Sequence, residues 1–329
     1  MKPLNWATLG CGVIANELAT ALARQNHHLY SVANRTHEKA VAFAEKYQIA
    51  KVYDHLEDIF TDPDVDIIYI STPHNTHIQY LRQALANGKH VLCEKSITLN
   101  SNELDEAIAL AEKNHVILAE AMTIFHMPIY RKLAEIISSG TLGPLRLVQV
   151  NFGSYKEYDM NNRFFNRNLA GGAMLDIGVY ALSLIRWFFA ETANQVLSQV
   201  KYAPTGVDEQ AGILLMNPAG EMATVTLSLH AKQPKRATIA FDKGYIEIFE
   251  YPRAMEAIIT YTGDGHKETI KAGDTSDALS YEVSDMEAAV RSNDLSTVES
   301  LMHITYTQDV MHIMTEIRDN WGMKYPEEE

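Results

Sequence analysis

The chain is poor in cysteine, in positive charge and in long apolar runs. Only Cys11 and Cys93 occur among 329 residues, and they stand in no metal-ligand spacing. That excludes a disulfide framework and places the expected compartment as the reducing cytoplasm. Lys and Arg number 28 against 42 Asp and Glu, a net charge of −14, so nucleic acid and anionic membrane surfaces are excluded as main partners. Apolar runs such as residues 67–70 fall far short of the roughly 20 residues a bilayer demands. Met1-Lys2-Pro3-Leu4 leads into a strand-like segment without the apolar core of a secretory signal. Internal repeats and low-complexity tracts are also missing.

What is present is a 47% hydrophobic content, enough to bury the cores of two domains. The first 120 residues alternate strand and helix patterns, the signature of a parallel sheet with crossover helices. Strands are expected over 4–9, 29–33, 65–70, 90–93 and 116–121. Helices are expected over 13–25 and 37–47, from an Asn75 cap to Asn87 before Gly88, and from an Asn100–Glu103 capping box to Asn114. Beyond Ala121 the pattern changes to helices over 128–138 and 172–189, a strand over 145–152, and strand-like segments from 196 to 270. Helical segments near 278–291 and 296–318 finish the chain. The expected class is α/β: an N-terminal Rossmann domain, residues 1–121, then an α+β domain on a largely antiparallel open sheet, residues 122–329.

Gly10-Cys11-Gly12-Val13-Ile14-Ala15 fits G-x-G-x-x-A between an expected strand and helix, the setting a dinucleotide site needs. Gly10 allows the tight turn, Gly12 admits a pyrophosphate, and Ala15 keeps helix and strand close. Val13 and Ile14 open the helix whose N-terminus favours negative charge. The second strand ends in Asn34-Arg35-Thr36, with no carboxylate for a ribose 2′-hydroxyl. Arg35 suits a 2′-phosphate instead, so NADP is expected, with NAD as the alternative. Ser71-Thr72-Pro73-His74-Asn75 follows another strand at its carboxyl end and is a second cofactor-facing loop.

Glu94-Lys95 sits at a third such end, where a lysine alone reads equally as a surface charge. Asp176 and Tyr180, four residues apart, fall on one helix face among apolar residues. By itself that pair also fits a structural contact in the core.

Taken together, these segments resemble the glucose–fructose oxidoreductase/inositol dehydrogenase (Gfo/Idh/MocA) family. The likeness runs through Gly10 to Ala15, Ser71-Thr72-Pro73 to His77, Gly88 to Glu94-Lys95, Arg163-Phe164-Phe165-Asn166, and Leu169 to Tyr180. The resemblance implies a cofactor site that also includes Asn75, His77, Glu94 and Arg163. Lys95 matches the lysine near nicotinamide and substrate hydroxyl, Asp176 an active-site aspartate, and Tyr180 the acid/base position. Tyrosine there is similar to the dihydrodiol dehydrogenase branch. The resemblance also implies a homodimer or homotetramer formed through the open sheet.

The chain departs from the family pattern in two places. Ser96 replaces the proline of Glu-Lys-Pro, and a trans peptide is expected before it, because cis before a non-proline residue costs roughly 2.5–4 kcal/mol. Thr123-Ile124-Phe125-His126-Met127-Pro128 lacks the branch's tryptophan and arginine.

The expected activity is hydride transfer between NADP and a hydroxyl or carbonyl carbon of a sugar, polyol or dihydrodiol. Tyr180 would carry the proton. Lys95 would favour its phenolate and stabilise charge on the oxygen, and no metal would be needed. A non-enzymatic NADP-binding sensor on the same scaffold is the alternative.

Overall fold

The computed structural model describes residues 3–292 and 294–329. Met1 and Lys2, the start of the segment read as lacking a secretory signal, lie outside the described residues. Two compact units emerge, one running to Met122 and including Leu279–Thr305, the other Thr123–Ala278 with Tyr306–Glu329. A single cut after residue 121 does not describe this division, because residues 279–305 return to the first unit. The return is fixed by buried polar contacts: the Trp6 indole donates to Glu287 at 3.0 Å, and Gln25 Nε2 donates to the Ser280 carbonyl at 2.7 Å.

The first unit carries a parallel sheet in the order β3-β2-β1-β4-β5-β6. Its strands are β1 (Trp6–Leu9), β2 (Leu29–Ala33), β3 (Lys51–Val52), β4 (Ile67–Ile70), β5 (His90–Glu94) and β6 (Leu118–Ala121). All four residues of β4 are buried, as a strand covered on both faces requires. Helices α1 (Val13–Arg24), α2 (His37–Tyr47), α3 (Asp58–Thr61), α4 (His77–Ala86) and α5 (Ser101–Lys113) make the connections. Asn100 caps α5 by accepting from the Glu103 amide at 3.0 Å, and the Glu103 carboxylate accepts from the Leu99 amide at 3.0 Å. Asn75 is not the cap of α4. It lies inside a 3-10 turn, His74–Thr76, which separates the strand end from the helix.

In the second unit come α6 (Thr123–His126), α7 (Pro128–Ser138), β7 (Leu145–Gly153) and α8 (Val179–Phe188). Then follow β8 (Gln195–Tyr202), β9 (Asp208–Met216), β10 (Met222–Ser228), β11 (Gln233–Phe241), β12 (Gly244–Phe249), β13 (Glu256–Tyr261) and β14 (Lys267–Lys271). The eight strands run β14-β13-β12-β11-β7-β10-β9-β8. Among the described residues only the β7–β10 pair of this sheet is parallel, so the sheet is largely antiparallel, as expected. Helices α9 (Ala278–Ser292), α10 (Leu295–Met302) and α11 (Ile304–Trp321) end the fold.

The helical stretch Arg167–Phe188 is long and apolar enough to cross a membrane, which the reading of short apolar runs missed. Of its most apolar 18-residue window 78% is buried within the protein, so its apolarity serves the core. The single helix expected over 172–189 is a π-helical turn, Met174–Gly178, running into α8.

Candidate active site

Four strand ends of the first unit, those of β1, β2, β4 and β5, carry the expected cofactor residues other than Arg163 at one edge of its sheet, where open parallel sheets bind ligands. Gly10 leaves β1 with φ +112°, and a Cβ there would lie 2.7 Å from the Ser71 hydroxyl and 2.8 Å from its carbonyl oxygen. Only glycine lets the ends of β1 and β4 come this close. Gly12 stands at the N-cap of α1 without a side-chain cap, and a Cβ on it would meet nothing within 4 Å. Val13 beside it is 81% exposed. The free N–H groups of α1 thus face open space, a cradle that fits a dinucleotide pyrophosphate. Burial, against a smaller opposing effect of the Lys39 ammonium, pushes the Cys11 thiol up to about 11. It therefore stays neutral beside the anion site.

At the end of β2, the Asn34 amide closes the turn by donating to the Thr36 carbonyl at 2.9 Å. Arg35 and Thr36 are exposed, and Thr36 makes no capping bond to α2, which leaves its hydroxyl available. Lys39, close enough to act on Cys11, adds a second cation that the sequence reading missed. It escaped because it lies on the helix rather than on the strand end.

The loops after β4 and β5 are tied together by histidines. His77 is fully buried, with Nε2 2.8 Å from the Thr72 carbonyl and Nδ1 3.1 and 3.2 Å from those of Ser96 and Ile97. His74 Nε2 lies 3.0 Å from the Lys95 carbonyl. The Thr76 hydroxyl reaches Thr72 Oγ1 and the Pro73 carbonyl. Glu94 accepts a hydrogen bond from the buried Tyr69 phenol. The Lys95–Ser96 peptide is cis, contrary to the trans geometry expected. The trans preference belongs to an unconstrained bond, whereas here the carbonyls of Lys95, Ser96 and Ile97 are all engaged by side chains of the neighbouring loop.

Arg163, Asp176 and Tyr180 belong to the second unit. The Arg163 guanidinium stands 3.5 Å from Asp176 Oδ1, with the carboxylate almost buried. Tyr180 is half-buried at the start of α8, its ring 6.2 Å from that of Phe152. Asp176 lies within the π turn, and Tyr180 stands at the second position of α8, which continues it. His126 is fully buried in α6.

Asp208, the first residue of β9, was not anticipated as part of this region. Its Oδ2 accepts from the Met174 amide at 2.6 Å, at the entrance to the π turn. Burial drives its carboxyl up to about 7, against lowering by the Met174 amide, its own amide and Arg318. No local motif marked it, since its partner lies 34 residues earlier.

Residues 4–122 match the family model described as oxidoreductase family, NAD-binding Rossmann fold, and residues 130–247 match the GFO/IDH/MocA C-terminal domain. A mouse (Mus musculus) trans-1,2-dihydrobenzene-1,2-diol dehydrogenase is 32% identical over 78% of this chain and 78% of its own length. Its Xenopus laevis counterpart is 29% identical over 98% and 99%. Among solved structures, a 3-ketoreductase from Actinomadura kijaniata, in complex with NADP and TDP-benzene, superimposes with a TM-score of 0.81 at 20% identity, covering 96% of each chain. A levoglucosan dehydrogenase, in complex with NADH and levoglucosan, gives 0.83 at 17% identity, covering 96% of this chain and 98% of the other.

Proposed function

The chain belongs to the GFO/IDH/MocA oxidoreductase family, and we propose that it moves a hydride between NADP and a CH–OH or carbonyl carbon of a sugar, polyol or dihydrodiol. The observation that carries this reading is the bare N-terminus of α1 over Gly12, beside the Ser71 and Lys95 loops. A sensor would share the cradle, but the curated relatives are dehydrogenases.

When bound, the nicotinamide supplies or accepts the hydride. Gly10, Gly12, Val13 and Ile14 would hold the pyrophosphate, while Arg35 and Thr36, with Lys39, would take the 2′-phosphate. Asn34, Ser71, Thr72, Pro73, Asn75 and Glu94 would shape the rest of the cofactor site, and His77 would keep its loops in place. In reduction Tyr180 gives its proton to the substrate oxygen, and in oxidation it takes that proton back. The Lys95 ammonium, at the end of β5, supplies positive charge on the cofactor side of the reaction. Asp176, held by Arg163, orients a substrate hydroxyl.

The test is spectrophotometric. A panel of trans-dihydrodiols, aldoses, ketoses and polyols is assayed at the NADPH absorbance in both directions, with NADH as comparator. Turnover on at least one member with a preference for NADPH supports the reading. Tight NADPH binding without turnover on any member would favour a sensor.

The uncovered face of the second sheet is proposed as a homo-oligomer interface. Its support is an apolar patch: Leu197 opposes Leu214, and Met222 lies between Leu147 and Met216. Leu197 is 69% exposed, and contiguous exposed apolar surface of this kind marks association sites. Light scattering coupled to gel filtration reads the subunit count. Cys11 and Cys93 are both free, which supports assignment to the cytoplasm.

A further inference from the structure

We propose that Asp208 is a positioning residue for the Asp176–Tyr180 segment, setting from β9 the register of the π turn that carries these side chains. The inference rests on the reading of Tyr180 and Asp176 as working groups.

The Met174 amide is among the N–H groups that a helix start leaves without an internal partner. Here it is satisfied by a side chain from a distant strand, at 2.6 Å from Asp208 Oδ2. The carboxylate lies against the bare Cα of Gly172, whose φ is +126°: a Cβ there would be 2.1 Å from Asp208 Oδ1. From the other side, the Tyr325 phenol donates to the Gly171 carbonyl at 2.7 Å. Tyr325 is held in turn by the Glu328 carboxylate, which accepts its amide at 2.8 Å and pairs with the buried Arg318 guanidinium at 2.8 and 2.9 Å. Gly172 also donates to the Phe164 carbonyl at 2.9 Å, so the same clamp fixes the chain beside Arg163, the partner of Asp176.

Geometry gives this clamp its consequence for chemistry. A π turn holds one residue more than an α turn, and its loss would rotate every following side chain by about 100°. Tyr180 follows the π turn directly, at the second position of α8. The anchor at Met174 therefore determines the direction of the phenol without touching substrate.

The test compares Asp208→Ala, Asp208→Asn, Tyr325→Phe and Tyr180→Phe, with NADPH and the best substrate of the panel. The carboxamide introduced by Asp208→Asn still offers an oxygen to Met174, so this variant should keep kcat within about threefold of the unaltered enzyme. Asp208→Ala should lower kcat by a factor on the order of 10 or more with the KM for NADPH within about twofold. A folded Asp208→Ala with kcat within about twofold of the unaltered enzyme, or an Asp208→Asn as slow as Asp208→Ala, overturns the proposal. Should Asp208→Ala fail to fold, Tyr325→Phe decides: a kcat loss of about threefold or more at unchanged cofactor KM supports the clamp, and unaltered kcat refutes it. Tyr180→Phe separates the two levels. Its inactivity beside a normal Asp208→Ala sinks the clamp alone, while full turnover in Tyr180→Phe sinks the reading beneath it.

Discussion

The imidazole of His77 lies 3.1 Å from the carbonyl of Ser96, and with its other nitrogen on Thr72 it joins two loops of the first unit. His77→Ala would leave the Thr72, Ser96 and Ile97 carbonyls facing a buried void. A loss of about 3 kcal/mol is expected in urea unfolding, with NADPH binding weakened by about tenfold or more. Burial, outweighing the carbonyl contacts, holds the His77 imidazole below its ordinary value. Its folded pKa thus lies under the unfolded one, so its contribution is complete above pH ~6.5 and lost as the pH falls. Unfolding of wild type and His77→Gln compared across that range checks the sign.

Gly10→Ala brings a methyl group within 2.7 Å of the Ser71 hydroxyl at a φ of +112°. The strand ends must separate, and NADPH affinity should fall by about 100-fold or more, read by fluorescence titration.

Arg35→Ala should raise the KM for NADPH by a factor of about 10 to 100 and leave that for NADH nearly unchanged. Equal effects on both cofactors would show that Arg35 does not see a 2′-phosphate.

Lys95→Ala and Tyr180→Phe should each reduce turnover by about 100-fold or more while NADPH still binds. Near-normal rates in both would remove the proposed chemistry from these residues.

Asp208 offers a pH signature. Its carboxyl is raised by burial from 3.8 to about 7, so between these values the folded chain binds more protons than the unfolded one. Stability from this group therefore grows as the pH falls through 7 toward 4 and is spent above 7. The difference in melting temperature between wild type and Asp208→Asn should shift toward wild type on acidification. A difference independent of pH would contradict the assignment. Asp62 runs the opposite way: burial raises its carboxyl, but hydrogen bonds from Lys51 and Tyr53 prevail and bring it to about 2.

Much of the first unit was legible because alternating apolar strands and 3.6-residue helices repeat there. β2 and α2 fall at the expected bounds, 29–33 and 37–47. β3 escaped, since a strand of two residues shows no periodicity. The helix expected over 296–318 breaks at His303, which takes φ +51° without the glycine that usually signals such a stop. Candidate residues were found where a motif is local in sequence, as at Gly10-Cys11-Gly12. Asp208 and Lys39 were missed because their relevance is made by tertiary approach. The cis Lys95–Ser96 bond lay beyond sequence reasoning for a related cause: local preference favours trans, and the contacts around Ser96 come from another loop.

The return of α9 to the first unit bears on the order in which the protein can be made. The indole of Trp6, near the amino end, waits for Glu287, and the ribosome delivers that partner only after the whole large sheet has been translated. A nascent chain arrested near Met122 would expose an unfinished flank, where holdase chaperones could bind. The two units must then mature as interleaved products of one synthesis, and a gene fragment ending at the first domain border would encode an incomplete fold.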